Sequence, residues 1–217
     1  MTNIILVCAD PFGLQILDLL RDVVLADEKE GREPRYRMCG YVSEEPAPFG
    51  ELPCGLKRLG SPEDHHAPEG ARYVLGVREP ELKRRLVAQI LSRGGAFETV
   101  ISPRILMSTG VTFGEGAVVD AYSITQGVSI GAYATVCGAM LAGRFKVGDY
   151  ATALYFSNLI GEELGEGAYV GSHVFLPHGK SVGAFARVHH GAIIASSIKD
   201  GAVVSGIPAK KVRAGRP

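Results

Sequence analysis

One short phrase recurs through the second half of the chain and restricts its fold more than any other feature. An aliphatic residue or Phe is followed by Gly, two variable residues and Ala. The phrase begins at Phe113, Ile130, Val147, Leu164 and Val182, and these starts lie 17, 17, 17 and 18 residues apart. A fixed period of this kind indicates a repetitive architecture in which each unit packs only against its neighbours.

Within the last repeats the apolar residues follow a shorter period of six. They are Leu164, Val170, Leu176, Val182, Val188 and Ile194. One inward aliphatic side chain in every six residues suits a three-sided coil of short strands, whose equivalent residues stack at a strand spacing of about 4.8 Å. The repeats therefore predict a left-handed parallel β-helix of the hexapeptide-repeat kind from about Phe113 to Pro208, with about five coils. Glycines and small residues are expected at its tight corners.

The first hundred residues show strand and helix patterns in alternation. Strands are predicted at Asn3–Ala9, Tyr36–Val42, Ala71–Val77 and Phe97–Ile101, and helices from Phe12 to about Asp27 and from Glu79 to Arg93. The segments Asp27–Pro34 and Ser43–Pro53 are polar or Pro-rich and are predicted to be loops. Such alternation predicts an α/β N-terminal domain with a parallel, Rossmann-like sheet over residues 1–103, followed by the β-helix over residues 104–217.

Charge and cysteine content exclude several functional classes. The 23 Lys and Arg residues balance the 23 Asp and Glu residues, which argues against a nucleic-acid partner. The four cysteines (Cys8, Cys39, Cys54 and Cys137) form no CxxC pair, which argues against a zinc ribbon or a disulfide framework. Neither a secretory leader nor a long apolar run is evident, so a cytoplasmic protein without membrane association is expected.

The run Ser205-Gly-Ile-Pro-Ala-Lys-Lys-Val resembles the closing motif of the hexapeptide-repeat acyltransferases. The stretch from Phe97 into the repeats, and the domain order, are similar to the subfamily of sialic-acid O-acetyltransferases and UDP-amino-sugar (bacillosamine-type) N-acetyltransferases. The resemblance implies a homotrimer that binds acetyl-CoA between neighbouring β-helices and needs no metal. It also implies that the N-terminal domain binds a nucleotide-sugar-like substrate, and that a groove histidine deprotonates the acceptor amine or hydroxyl.

The chain departs from that family at its catalytic motif. Aligned on Val147-Gly148, the family's Glu-His-Asp or Glu-His-Glu triplet falls on Ala142, Gly143 and Arg144. A second family histidine, which helps to bind the acetyl group, falls on Thr152. The usual general base is therefore missing. Loss of a general base typically lowers a rate by about 10²–10⁴-fold, which is large but still permits transfer through positioning of the substrates.

The nucleotide motifs of the N-terminal domain are altered as well. The run from Cys8 to Gly13 (CADPFG) stands where a glycine-rich phosphate turn is expected, and its proline lacks an N–H donor. The acidic pair that follows the second strand falls on Ser43 and Glu44, which leaves one carboxylate for a ribose.

Four of the six histidines lie in the last coils and offer substitutes for the missing base. Counting repeats from Gly143 leads to Ile160 and then to Pro177 or His178, about 10 Å further along the same edge. His178 is therefore predicted to be a relocated catalytic base or a contact to the pantetheine; the alternative is a histidine that faces solvent. His65 and His66 are predicted to lie exposed in a polar loop.

Ligand contacts follow from the same resemblance. Predicted cofactor-binding residues are Gly161, Gly171, Ser172, His190, Gly191, Ala192 and Lys210, and predicted substrate-binding residues are Asp10, Phe12, Ser43 and Arg144. Further residues that could line the groove near the missing base are Asp149, Tyr155, Ser157 and Asn158. Basic residues near the end of the chain (Lys199, Lys210, Lys211, Arg213 and Arg216) fit either the phosphates of CoA or a solvated tail.

Two rival classes remain open. The spacing of His173 and His178 resembles the two-histidine strip of γ-class carbonic anhydrases, but a catalytic zinc needs a third imidazole, and no histidine lies between His66 and His173. Loss of the base and of the glycine turn also fits a catalytically degenerate trimer that binds a ligand or a partner.

Overall fold

The computed structural model describes residues 1–8, 11–45 and 55–212, which divide into two compact units, Met1–Pro103 and Arg104–Pro217. Several features named above lie outside the described residues. They are Ala9, Asp10, Cys54, Arg213, Arg216 and most of the predicted loop Ser43–Pro53. Among the described residues, no helix is both long enough and apolar enough to span a membrane.

The first unit is built on four parallel strands. Its elements are β1 (Thr2–Cys8), α1 (Phe12–Lys29), β2 (Tyr36–Val42), β3 (Arg58–Gly60), β4 (Arg72–Gly76), α2 (Pro80–Leu91) and β5 (Val100–Ile101). The strand order is β3-β2-β1-β4, with β1 and β2 in the middle, and the short strand β5 is not part of this sheet. Residues 4–8 of β1 are buried, as expected for an apolar strand covered on both faces.

Two strands of this unit differ from the prediction. The edge strand β3 was not predicted, because three largely exposed residues carry no alternating pattern. The predicted strand Phe97–Ile101 is reduced to a single bridge between Phe97 and Tyr73 and the two residues of β5.

A buried carboxylate shapes the connection between α1 and β2. Asp27 is only 2% exposed and accepts hydrogen bonds from the guanidinium groups of Arg32 (2.9 Å) and Arg35 (2.7 Å), and from the backbone N–H of Arg35 (3.0 Å). The guanidinium groups of Arg35 and Arg32 hold the pKa of this carboxyl well below its usual range. A buried charge needs such partners, and the contacts join the last turn of α1 to the residues just before β2.

His65 is only half exposed, although the sequence predicts it to be a surface residue. A hydrogen bond of 2.8 Å joins its Nδ1 to the hydroxyl of Tyr73, which is buried in the core of the first unit. Burial, and to a smaller extent the electrostatic effect of the nearby His66, lowers the pKa of His65 from its ordinary value of 6.5.

The stability of the first unit is therefore expected to decrease on mild acidification. The folded protein holds the His65 proton less tightly than the unfolded chain does, so protonation favours unfolding. The contribution of neutral His65 to the free energy of unfolding is present above about pH 6.5. It is lost as the pH falls below that value towards the lowered pKa of His65. We expect the melting temperatures of the wild type and of His65→Gln to converge between about pH 8 and pH 5. A constant difference across that range would contradict the assignment.

The second unit is a parallel β-helix, as the repeats predict, with three sheets running along it. The first sheet contains β7 (Thr112–Phe113), β10 (Ser129–Ile130), β13 (Lys146–Val147), β16 (Glu163–Leu164) and β19 (Ser181–Val182). The second sheet contains β8 (Val118–Asp120), β11 (Thr135–Cys137), β14 (Thr152–Ala153), β17 (Tyr169–Val170), β20 (Arg187–Val188), β21 (Val203–Ser205) and the antiparallel β22 (Lys210–Lys211). The third sheet contains β6 (Leu106–Met107), β9 (Ser123–Ile124), β12 (Met140–Leu141), β15 (Asn158–Leu159) and β18 (Phe175–Leu176).

Ladders of buried aliphatic residues fill the interior of the helix. In the third sheet the ladder is Ile124, Leu141, Leu159, Leu176 and then Ile194, all essentially inaccessible to solvent. Each residue packs on its equivalent in the next coil, so the six-residue apolar period corresponds to one inward side chain per face.

The glycine of the recurring phrase is explained by the approach of the next coil. A Cβ on Gly148 would lie 2.6 Å from the backbone nitrogen of Glu166, and a Cβ on Gly165 would lie 2.5 Å from that of Ala184. Neither glycine has a positive φ. The prediction that glycines serve tight corners is therefore incomplete, because at this position the space between coils excludes a side chain.

The residue two positions after the glycine of the recurring phrase occupies a left-handed corner, and in several coils this residue is aromatic. Tyr133 (φ 58°) and Tyr150 (φ 59°) occupy this position in adjacent coils, and their rings stack at 5.1 Å. Stacking of this kind contributes about 0.5–1.5 kcal/mol and offsets part of the cost of the conformation. Burial and the carboxylate of Glu115 raise the pKa of Tyr133 to about 12.

Candidate functional site

The corner at Gly143, where the sequence resemblance predicts the base, is open. Gly143 adopts φ 81°, and a Cβ placed on it would have no neighbour within 4 Å. Its backbone N–H donates a hydrogen bond of 2.9 Å to the Thr125 hydroxyl of the preceding coil. Arg144 beside it is exposed, so its side chain is accessible to the anionic acceptor that it is predicted to hold. Thr152, at the position of the second family histidine, is completely buried.

Strand register locates the continuation of this corner along the helix. Leu141 pairs with Leu159, and Leu159 pairs with Leu176. The residue two positions after each ladder residue is Gly143, then Gly161, then His178. The structure thus places His178 in the column of Gly143, two coils further along.

Counting repeats from the sequence gave Ile160 instead of Gly161 for the middle coil, and this was wrong by one residue. The ladder spacing before this corner is five residues from Val136 to Leu141 but six from Ala153 to Leu159. Both coils contain 17 residues, because the spacing after the corner is six residues from Leu141 to Val147 but five from Leu159 to Leu164. The repeat length therefore stays the same while the corner moves by one residue, which counting whole repeats does not detect.

His178 lies beside a carboxylate of the preceding coil. Its side chain is 88% exposed, and its Nδ1 is 3.7 Å from Oε1 of Glu162. The same Oε1 accepts a hydrogen bond of 3.2 Å from the backbone N–H of Gly179. The sequence alone does not indicate Glu162 as a partner of His178, because the two residues belong to different coils and become neighbours only through the register.

The predicted residues Gly171, Ser172 and His190 lie together at another corner. The backbone N–H of Ser172 donates a hydrogen bond of 2.8 Å to Nδ1 of His190. A Cβ on Gly171 would lie 2.9 Å from the backbone nitrogen of His190, so this glycine allows the two coils to approach. His190 itself is exposed and remains available to a ligand.

The remaining predicted cofactor residues are more dispersed. Gly161 is buried against the carbonyl oxygen of Lys180 in the next coil. Gly191 occupies a left-handed corner (φ 71°), while Ala192 is completely buried, so the structure gives this predicted contact no exposed surface. Lys210 is exposed on β22.

Two of the further residues suggested for the groove have structural roles. The Ser157 hydroxyl is buried, donates to the carbonyl of Gly171 (2.9 Å) and accepts from the N–H of Val174 (3.1 Å). It does not line an open groove, which corrects the prediction. Oδ1 of Asp149 accepts a hydrogen bond of 2.8 Å from the backbone N–H of Ala132.

An exposed ladder of rings was not predicted. Phe156, which is 58% exposed, stacks on the His173 imidazole with ring centroids 5.0 Å apart, and it also contacts the Tyr122 ring at 5.8 Å. Phe156 and His173 both adopt a left-handed conformation. Their spacing of 17 residues equals one coil, which is the only sign of the stack that the sequence contains.

In the first unit, the carboxyl ends of β1 and β4 meet the beginning of α1. This is the switch point of the sheet, where ligands of open α/β sheets commonly bind. Phe12, a predicted substrate contact, is buried here, with the Arg78 guanidinium 5.5 Å from its ring centre. A Cβ on Gly76 would lie 2.9 Å from Cα of Gly13, which shows how closely β4 and α1 approach. The predicted substrate residue Asp10 is outside the described residues.

Ser43 and Glu44 at the end of β2 already have protein partners. The buried Ser43 hydroxyl donates to the carbonyl of Glu45 and accepts from Nε of Arg58 at 3.2 Å. Glu44 forms an ion pair with Arg85 of α2, and this hydrogen-bonded guanidinium lowers the pKa of the Glu44 carboxyl. A ribose hydroxyl would have to compete with these contacts at either residue.

Within the part of the chain that the structure describes, no three His, Cys, Asp or Glu side chains come together as a metal site would require. His173 and His178, the pair that resembles a zinc strip, gain no third ligand from that part of the chain.

Three solved structures share this fold along nearly their whole length. WeeI from Acinetobacter baumannii AYE is 19% identical, with a TM-score of 0.80, and the match covers 98% of this chain and 100% of that one. A variant of perosamine N-acetyltransferase from Caulobacter crescentus, in complex with CoA and GDP-perosamine, is 17% identical with a TM-score of 0.68, and the match covers 98% of each chain. The acetyltransferase domain of PglB from Neisseria gonorrhoeae FA1090, in complex with acetyl coenzyme A, is 17% identical with a TM-score of 0.66; the match covers 97% of this chain and 98% of that one.

These identities are low, so the likeness establishes a shared fold. No protein-family model matches the chain, and no curated protein matches it.

Proposed function

We propose that this protein is an acyltransferase that moves an acetyl group from acetyl-CoA to an amine or hydroxyl of a sugar or nucleotide-linked sugar. The observation that supports it most is the match over both units with an N-acetyltransferase in complex with CoA and GDP-perosamine. The proposal includes a left-handed helix, a Rossmann-like first unit that binds the acceptor, and a cytoplasmic homotrimer in which acetyl-CoA lies between neighbouring helices.

His178 is the proposed base. Its imidazole lies in the column of Gly143 and is accessible to a substrate. The cofactor would contact the corner formed by Gly171, Ser172 and His190, together with Gly161, Gly191 and Lys210. The acceptor would contact Arg144 and, in the first unit, Asp10, Phe12 and Ser43.

Calorimetric titration with acetyl-CoA tests the proposal. We expect saturable binding, followed by release of CoA thiol when GDP-perosamine or a UDP-linked amino sugar is added. Absence of binding at millimolar concentration would contradict the proposal. Tight binding without acetylation of either acceptor would support acetyl-CoA as the acyl donor and indicate a different acceptor.

A catalytically degenerate binding protein is the second candidate. The open corner at Gly143 and the buried Thr152 favour it, since both family histidines are absent. The backbone at this corner would nevertheless accept a histidine. A Cβ on Gly143 would meet no neighbour within 4 Å, and histidine tolerates a positive φ, as His173 does. The degenerate candidate predicts that neither acetyl-CoA binding nor transfer is detected.

A further inference from the structure

His190 and His178, two histidines of the last coils, differ in what faces their Nδ1 atom: an N–H donor in His190 and a carboxylate in His178. In His190, Nδ1 accepts the N–H of Ser172, so this nitrogen carries no hydrogen and Nε2 carries it instead. His190 can therefore donate a hydrogen bond to a ligand from Nε2, but it cannot take a proton there.

In His178 the same nitrogen faces a negative charge. Nδ1 lies 3.7 Å from Oε1 of Glu162, slightly beyond a hydrogen bond, and the 88% exposed imidazole has room to rotate towards the carboxylate. A carboxylate favours an N–H on the nitrogen that faces it, which leaves the lone pair on Nε2. Nε2 of His178 is then free to accept a proton.

Glu162 is well suited to hold that imidazole because its own position is restrained. Its Oε1 accepts the N–H of Gly179, the residue that follows His178. Its backbone N–H donates to the carbonyl of Lys180 at 2.8 Å. The backbone and one carboxylate oxygen of Glu162 are thereby both held at the corner that presents His178.

We propose that Glu162 is a positioning residue that orients His178 as the base of the transfer, an inference that rests on the proposed function. Nε2 of His178 takes a proton from the acceptor amine or hydroxyl as the acceptor atom bonds to the thioester carbonyl carbon. The carbon–sulfur bond then breaks, and the departing CoA thiolate receives that proton. The products are the acetylated acceptor and CoA thiol.

The experiment compares Glu162→Gln with the wild type. The amide oxygen of Gln still accepts the N–H of Gly179, but the charge is lost. Long-range ¹⁵N–¹H NMR correlations of the full-length protein, labelled on histidine and recorded at about pH 8, report which nitrogen of each ring carries hydrogen. We expect an Nδ1–H form for His178 in the wild type, a shift towards Nε2–H in Glu162→Gln, and Nε2–H for His190 in both proteins.

Asp200→Asn is the matched control. Oδ1 of Asp200 accepts the N–H of Ala184 at 2.9 Å, so this variant removes a carboxylate from an equivalent corner contact that lacks a histidine. It should change neither tautomer nor turnover. Glu162→Gln should lower kcat for transfer from acetyl-CoA to the acceptor by about 10–100-fold, by analogy with the partners that orient metal-binding histidines.

The outcomes separate this inference from the proposed function. An unchanged His178 tautomer in Glu162→Gln would overturn the role of Glu162 even if the protein is active. A shifted tautomer in a protein that never transfers acetyl groups would support the pairing and contradict the acyltransferase. A shifted tautomer with unchanged kcat would also overturn the positioning role.

Discussion

Replacement of His178 by Ala is expected to lower the turnover of acetyl transfer by about 10²–10⁴-fold, the usual contribution of a general base. The imidazole is exposed and fills no cavity, so the melting temperature should change little. The loss should therefore appear in kcat at saturating acetyl-CoA, measured by the release of CoA thiol.

His66→Ala is the control for removal of an exposed histidine. His66 lies in the polar loop of the first unit, and its replacement should leave turnover unchanged. Full activity of His178→Ala would eliminate the catalytic role of His178, while the acyltransferase proposal would then require a substrate that supplies its own base.

Replacement of Gly148 by Ala is expected to lower the free energy of unfolding by about 3 kcal/mol, the upper part of the range for overpacking. The added Cβ would lie 2.6 Å from the backbone nitrogen of Glu166. Backbone cannot rotate away as a flexible side chain does, so adjacent coils must separate and weaken the ladder. Thermal unfolding should show a decrease in melting temperature of roughly 10 °C.

Gly143→Ala is the matched control, since it adds the same methyl group at a corner with no neighbour within 4 Å. Only the positive φ of Gly143 opposes it, with a cost of about 1 kcal/mol. Equal destabilisation by the two variants would contradict the explanation of the repeated glycine by the close approach of the next coil.

The candidate site was only partly predictable. His178 emerged from counting repeats because the column of the missing base can be followed along the chain. Its neighbour Glu162 did not, since proximity across coils depends on how the residues of each coil are divided among its three sides. Ser157 was placed in the groove by its closeness in sequence to the corner, but its hydroxyl bonds inward to Gly171 and Val174.

The sequence by itself determined the parallel β-helix. Its period of six requires one apolar residue per face to be buried, and a closed three-sided coil meets that requirement along the whole repeat. Only the tertiary structure decided how the residues of each coil are divided among its three sides, which coil excludes a Cβ at Gly148, and which nitrogen of His190 carries hydrogen. The physical reason is that the period is a property of one coil, whereas register, close approach and hydrogen-bond direction arise only when a second coil lies beside it.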